Sequence, residues 1–209
     1  MNTTDYDKLK TSLKNQLRGM ALIDSRYELP LKALSYAETV HTGFRKCGKI
    51  PTFYHQLSLL GWLMSIHKLL ERPWMVYTAA ILHDVAEDHP EEIEKMRKLF
   101  GDEVVNHSKT LSKNQDGNQI PYEIYFEQIS QCPVCSIVKL ADRIHNLSTM
   151  QIPFSLEKQQ AYIADVTNWF MPMLRKARAM HLQQVSAYEV AKSTLNLLCN
   201  AIGHNLELQ

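Results

Sequence analysis

Glycine is scarce in this chain, with seven residues in 209, and alternating apolar–polar runs are nearly missing. Both absences argue against a strand-and-tight-turn architecture, which needs period-two runs separated by Gly-rich turns. Excess charge of one sign is lacking too. Twenty-three Lys and Arg against 22 Asp and Glu leave a formal net charge of +1. No global field therefore steers the chain to nucleic acid or to an anionic membrane. No apolar run approaches the roughly 20 residues that a spanning helix needs. The start, MNTTDYDKLKTSLKNQLRG, is polar and has no signal-peptide core. The expectation is a cytoplasmic protein.

Cysteine is sparse as well: Cys47, Cys132, Cys135 and Cys199. Without export these are expected to be thiols. Only Cys132-Pro-Val-Cys135 has metal or redox spacing. No second pair completes a four-ligand zinc site, and no βαβ setting supports a thioredoxin-like role. The pair reads as packing at the start of a helix, with Pro133 in its first turn.

What is present is helical period. Hydrophobic residues make up 45% and charged ones 22%, enough for a globular core without staples. Leu9, Leu13 and Leu17 mark a first amphipathic helix, and Leu31, Leu34, Ala37 and Val40 a second, opened by Pro30. Leu57, Leu60, Leu63 and Met64 mark a third. A fourth is expected from Pro73 through His83. Pro90 opens a short acidic helix closed by Gly101, and 102–112 is another. SKNQDGNQIP, 112–121, reads as a loop. Helices are expected at 122–131 and 134–147, then at 155–179 and 181–201. The fold class is all-α, a compact helical bundle, read as one domain over 1–209. Its motif-bearing core is 33–150, and 155–201 are C-terminal helices. The apolar cluster Trp169, Phe170, Met171 and Met173 reads first as core and second as the face of a homodimer.

The fourth helix ends in Ala79-Ala-Ile-Leu-His83-Asp84-Val-Ala-Glu87-Asp88-His89. Adjacent helical residues point about 100° apart, so His83 and Asp84 can share one ion only at a helix end or distortion. Glu87 follows His83 by four positions, and Asp88 follows Asp84 by four, which returns the second acidic pair to the same face. One reading is a solvated acidic helix end. The apolar run before His83 favours the other, a divalent cation that offsets the clustered charge. Two further segments offer ligands. His55 lies at the start of a helix, and Asp142 interrupts the apolar helix Val138–Arg143. His55, His83, Asp84 and Asp142 form a mixed N/O set that suits Mn²⁺, Fe²⁺ or Zn²⁺.

That series, His55, His83-Asp84, Asp142, resembles the H…HD…D signature of HD-domain metal-dependent phosphohydrolases. Further segments resemble one branch, the hydrolase domain of RelA/SpoT-type enzymes and stand-alone small alarmone hydrolases. These are His41-Thr-Gly-Phe-Arg45-Lys46 with Ile50-Pro51, Leu82-His-Asp-Val-Ala-Glu-Asp88, and Lys139-Leu-Ala-Asp-Arg-Ile-His-Asn146-Leu-Ser-Thr149. Gln56, Thr52, Phe44 and Ser148 depart from the branch's usual Pro, Tyr, Gln and Arg, and none of them removes a metal ligand.

The resemblance implies a helical bundle of the HD-domain type that takes a small nucleotide as partner. It implies Mn²⁺-dependent removal of the 3′-pyrophosphate of (p)ppGpp-like alarmones. Glu87 would be the general base and Asp88 would orient the water. Arg45 would stack on the guanine with Lys46 beside it, and Asn146 and Thr149 would meet the ribose or nucleotide. Read alone, Arg45 and Lys46 are two solvated cations at a helix end, and His41 is structural. Arg143 is expected to tie down a carboxylate. Tyr122 and Tyr125 read as pocket lining or as core. Two alternatives stand beside the alarmone hydrolase. One is another HD-class nucleotide phosphohydrolase, a 5′-nucleotidase or a 3′-phosphatase on a dinucleotide cofactor. The other is a non-catalytic nucleotide-binding regulatory module.

Overall fold

The Leu13–Leu17 spacing puts an apolar stripe on α1 (Thr3–Ile23), and both leucines are buried. The computed structural model describes residues 3–44, 50–115, 118–150 and 154–207. The chain divides into two compact units, Met1–His67 with Arg72–Gln119, and Lys68–Glu71 with Ile120–Gln209.

In the first unit, α1 packs on α2 (Glu28–Val40) and α3 (Tyr54–Ser65). At the centre lies α4 (Pro73–Leu82). Pro73 opens it, where its missing N–H costs nothing, and every residue from Met75 to Leu82 is buried. A helix that is apolar all round belongs in a core, and α4 contacts α2, α3 and α7 (Asp102–Leu111). It stops at Leu82, one residue before the expected end, and a separate turn of helix, α5 (Val85–Asp88), follows. A 3₁₀ turn at Pro90–Glu92 leads into α6 (Ile93–Phe100). Gly101 ends α6 at φ +83°, where a Cβ would be strained.

The expected loop at 112–121 holds a short antiparallel pair, β1 (Asn114–Gln115) with β2 (Asn118–Gln119). The Asp-Gly dipeptide that helped mark the loop in the sequence is also a hairpin signal. Two residues per strand leave the all-α class intact.

The second unit is built around α9 (Pro133–Thr149), which packs against α8 (Tyr122–Ser130), α11 (Met171–Met180) and α12 (Val185–Glu207). The helix expected at 155–179 is α10 (Leu156–Asp165), then a π-helical turn at Val166–Phe170, then α11. Pro172 gives the reason. It has no N–H for the carbonyl four residues back, and its ring would crowd that carbonyl. The widened turn, with Met171 N–H donating to Val166 O, makes room. Phe170 and Met173 are buried in the core of this unit, and half-buried Trp169 stacks on Phe126 with centroids 6.0 Å apart. Arg143, also buried, meets Asp165 at 3.2 Å between the rings of Tyr162 and Phe170, which is the carboxylate tie expected for it. Among the described residues, no helix is long and apolar enough to cross a membrane.

Candidate metal centre

The break between α4 and α5 is what brings His83 and Asp84 onto one point. His83 keeps α-helical angles as the last turn ends, and Asp84 sits at φ −86°, ψ −8°. A broken helix leaves orphan backbone groups. Here Ser108 of α7, itself buried, serves both ends of the break. Its Oγ donates to Leu82 O at 2.9 Å and accepts from Ala86 N–H at 3.2 Å.

His83 is 3% exposed. Its Nδ1 lies 2.8 Å from Ala80 O. A carbonyl only accepts, so Nδ1 carries the proton, and in the neutral ring Nε2 presents a lone pair. That Nε2 stands 3.3 Å from His55 Nε2 and 2.9 Å from Asp84 Oδ1. His55 Nε2 is 3.9 Å from Asp84 Oδ2. A lone pair and a carboxylate oxygen at 2.9 Å need positive charge at that point, either a proton on His83 or a cation. The backbone bond to Nδ1 is the arrangement that aims an imidazole at a metal. Two imidazole nitrogens and a carboxylate, with no thiolate, suit an open divalent site rather than a structural zinc.

Gln56, the departure beside the candidate ligand His55, also meets the cluster. Its amide donates to Asp84 Oδ2 at 3.2 Å and so orients the carboxylate. His41 is buried, stacks on Phe53 and faces the same cluster. Burial pushes its imidazole down to about 4; the Asp84 charge opposes that shift, while His83, His89 and His55 add to it.

Glu87 and Asp88 follow on α5, both exposed. Glu87 Oε2 accepts the backbone N–H of Lys113 at 3.3 Å. Although Asp88 is exposed at the surface, partial desolvation of its carboxyl raises it above its ordinary range, and the negative charges of Asp84 and Glu87 add to the effect.

Asp142, on α9 in the second unit, is 8% exposed and has both oxygens engaged. Lys139 Nζ meets Oδ2 at 3.0 Å, and Asn146 Nδ2 donates to Oδ1 at 2.7 Å. Lys139 is held above the usual ammonium range. Its burial works the other way, but Tyr125 and Asp142 outweigh it. Asn146 thus acts on a candidate ligand, one helical turn away, in addition to any contact with substrate. The Thr149 hydroxyl donates to His145 O at 3.0 Å. Tyr125 is fully buried and reads as core. Arg45 and Lys46 lie outside the described residues.

Three residues touch the candidate site or its helix break in ways that sequence reasoning did not assign: Ser108, Gln56 and Lys139. Lys139 carried a signal, standing three positions before an acid in an apolar run. Ser108 carried none, because a serine in a helix has no sequence mark that it bonds a second helix.

A family model for the HD domain, HD_4, matches residues 33–178. A Spiroplasma citri protein named guanosine-3′,5′-bis(diphosphate) 3′-pyrophosphohydrolase is 33% identical over 132 residues, covering 57% of this chain and 16% of its own length. A Borreliella burgdorferi protein of the same name is 24% identical over 184 residues, covering 82% of this chain and 26% of its own. The chain therefore spans a quarter or less of most of the curated relatives it matches. A solved structure described as a metazoan ortholog of SpoT that hydrolyzes ppGpp superposes with a TM-score of 0.57 at 20% identity. The match covers 77% of this chain and 94% of that one, a likeness of fold. With the model matched across the segments that carry His55, His83-Asp84 and Asp142, the chain belongs to the HD domain family.

Proposed function

We propose that this protein is a metal-dependent hydrolase of (p)ppGpp-like alarmones, releasing pyrophosphate from the ribose 3′ oxygen and leaving GDP or GTP. One observation carries the reading: His55 Nε2, His83 Nε2 and Asp84 converge at a helix break with the His83 proton fixed on the far nitrogen. The names of the relatives, and the ppGpp hydrolysis ascribed to the metazoan SpoT ortholog, support the substrate class.

Asp142 is proposed as the fourth ligand beside His55, His83 and Asp84. Mn²⁺ is the proposed ion, with Fe²⁺ and Zn²⁺ compatible with the same donors. When bound, a divalent cation supplies Lewis acidity that acidifies water and polarises a phosphoryl oxygen. The protein groups do the rest. Glu87 accepts the proton of the attacking water as it adds to the phosphorus bonded to O3′. Asp88, which holds its proton to higher pH than an ordinary carboxyl, orients that water. Asn146 and Lys139 hold the Asp142 carboxylate in one orientation. Arg45 is proposed to stack on the guanine with Lys46 beside it, and Asn146 and Thr149 to meet the ribose or nucleotide. The small-nucleotide partner and a cytoplasmic location belong to the same proposal.

The test is a nucleotide panel with separate detection of pyrophosphate and of phosphate, run with Mn²⁺ and then with chelator. Mn²⁺-dependent pyrophosphate release from ppGpp is expected. Single phosphate as the product would point instead to another HD-class phosphatase. Tight binding without turnover would point to a nucleotide-sensing module.

A further inference from the structure

We infer that Cys132 and Cys135 form a reversible dithiol–disulfide couple that exchanges with small-molecule disulfides, with Cys132 as the attacking sulfur and Cys135 as the resolving one. The pair lies in the second unit at the start of α9, and the proposed hydrolysis does not use it.

Three features of geometry carry this. Cys132 is the N-cap of α9, with φ −112° and ψ 116°, and Pro133 takes the first helical position. The Cys132 sulfur accepts the backbone N–H of Cys135 at 3.3 Å. A sulfur at an N-cap faces the positive end of a 17-residue helix, which favours its thiolate. Secondly, the Cys132 and Cys135 sulfurs lie within 4.8 Å of each other. N-cap and N3 positions lie within one turn, which suits the Cα separation a disulfide needs. Thirdly, the two sulfurs differ in access. Cys132 is partly exposed, whereas Cys135 is 0% exposed. The neighbouring Cys132 sulfur and burial both hold the Cys135 thiol protonated well above its ordinary range. An external disulfide therefore meets Cys132 first.

The exchange balances. The Cys132 thiolate attacks one sulfur of R–S–S–R, the S–S bond breaks, and RS⁻ leaves and takes up the proton that Cys132 gave. Cys135 then loses its proton and attacks the Cys132 sulfur of the mixed disulfide, releasing the second RS⁻, which is protonated in turn. Two electrons and two protons pass from the dithiol to the small disulfide, which becomes two thiols.

The test incubates the full-length protein with oxidised glutathione, quenches it by acid, alkylates remaining thiols and maps peptides by mass. Cys132 and Cys135 fall on one tryptic peptide, Asn114–Lys139, separate from Cys47 and Cys199. That peptide should lose the mass of two hydrogens, take no alkylating agent, and recover both thiols under excess reductant. Cys135→Ser should stop at a glutathione adduct on Cys132, and Cys132→Ser should leave Cys135 unmodified. The wild-type result stands even if a variant misfolds. Two alkylated thiols across the whole range of glutathione ratios would overturn the inference. So would a wild-type protein that accumulates the adduct on Cys132 without closing the ring.

Discussion

The Nε2 atoms of His55 and His83 stand 3.3 Å apart, across 28 residues of sequence, with Asp84 Oδ1 2.9 Å from the second of them. Two imidazole nitrogens and a carboxylate oxygen this close need a shared proton or a cation between them. A divalent ion that binds the folded state alone stabilises it by about 2.7 kcal/mol at a hundredfold excess over Kd. For a chain of this length that is a rise in Tm of roughly 5–10 °C. Mn²⁺ is expected to give this shift and chelator to remove it. His83→Ala and Asp84→Ala should each abolish the shift, and an unchanged shift in either would take that residue out of the ligand set.

Glu87 is exposed and accepts the Lys113 backbone N–H, so its carboxylate is oriented without being a partner of either histidine. Glu87→Gln keeps the shape and removes the base. It should leave the Mn²⁺-dependent Tm shift intact while kcat falls by about 10²–10⁴. Loss of the metal shift to the same extent as in Asp84→Ala would mean that Glu87 is a ligand.

Asn146 donates to Asp142 Oδ1 at 2.7 Å. Removing a group that orients a metal ligand commonly weakens metal affinity about 10–100-fold. Asn146→Ala is expected to raise the Mn²⁺ concentration needed for half-maximal activity by that amount. A variant in which only the nucleotide KM rises would show that Asn146 works on substrate instead.

The helices were legible from period because each buries one face: Leu13–Leu17 on α1 and the all-round apolar run of α4 are patterns that packing imposes on sequence. The need for a break at His83-Asp84 was legible too, since two adjacent helical side chains cannot point at one ion. What holds the break was not. Ser108 reaches it from another helix, and such a contact has no spacing along the chain. The π turn before Pro172 was missed because a single Pro changes the backbone locally while the apolar pattern around it stays helical. The pair of strands at 114–115 and 118–119 lies inside the expected loop, and two residues per strand are too few to show a period of two.

Ser108 is the test of that stitching. Its hydroxyl satisfies Leu82 O and Ala86 N–H together. Ser108→Ala leaves a buried carbonyl and an amide without that partner, a cost of about 1–3 kcal/mol. Urea unfolding should show a lower midpoint with an unchanged slope. Mn²⁺ affinity should fall with it, because the break positions both His83 and Asp84. A stability loss with unaltered metal affinity would separate the stitch from the site.

His41 supplies the pH dependence. Burial holds its imidazole at about 4, below the ordinary value of 6.5. In the unfolded chain the ring therefore takes a proton at higher pH than in the folded one. Between these two values the unfolded state binds more protons, so stability rises with pH there. The contribution is complete above about 6.5 and is lost as pH falls toward 4, by up to about 3 kcal/mol for a shift of this size. Carboxylates titrate in the same window, so the informative quantity is a difference. His41→Phe keeps a ring against Phe53, where the two rings are stacked 6.4 Å apart, and removes the proton site. In metal-free buffer the wild type should lose more stability than His41→Phe between about pH 7 and pH 4, as measured by urea unfolding. Parallel curves would mean that His41 takes up its proton in the folded state as readily as in the unfolded chain.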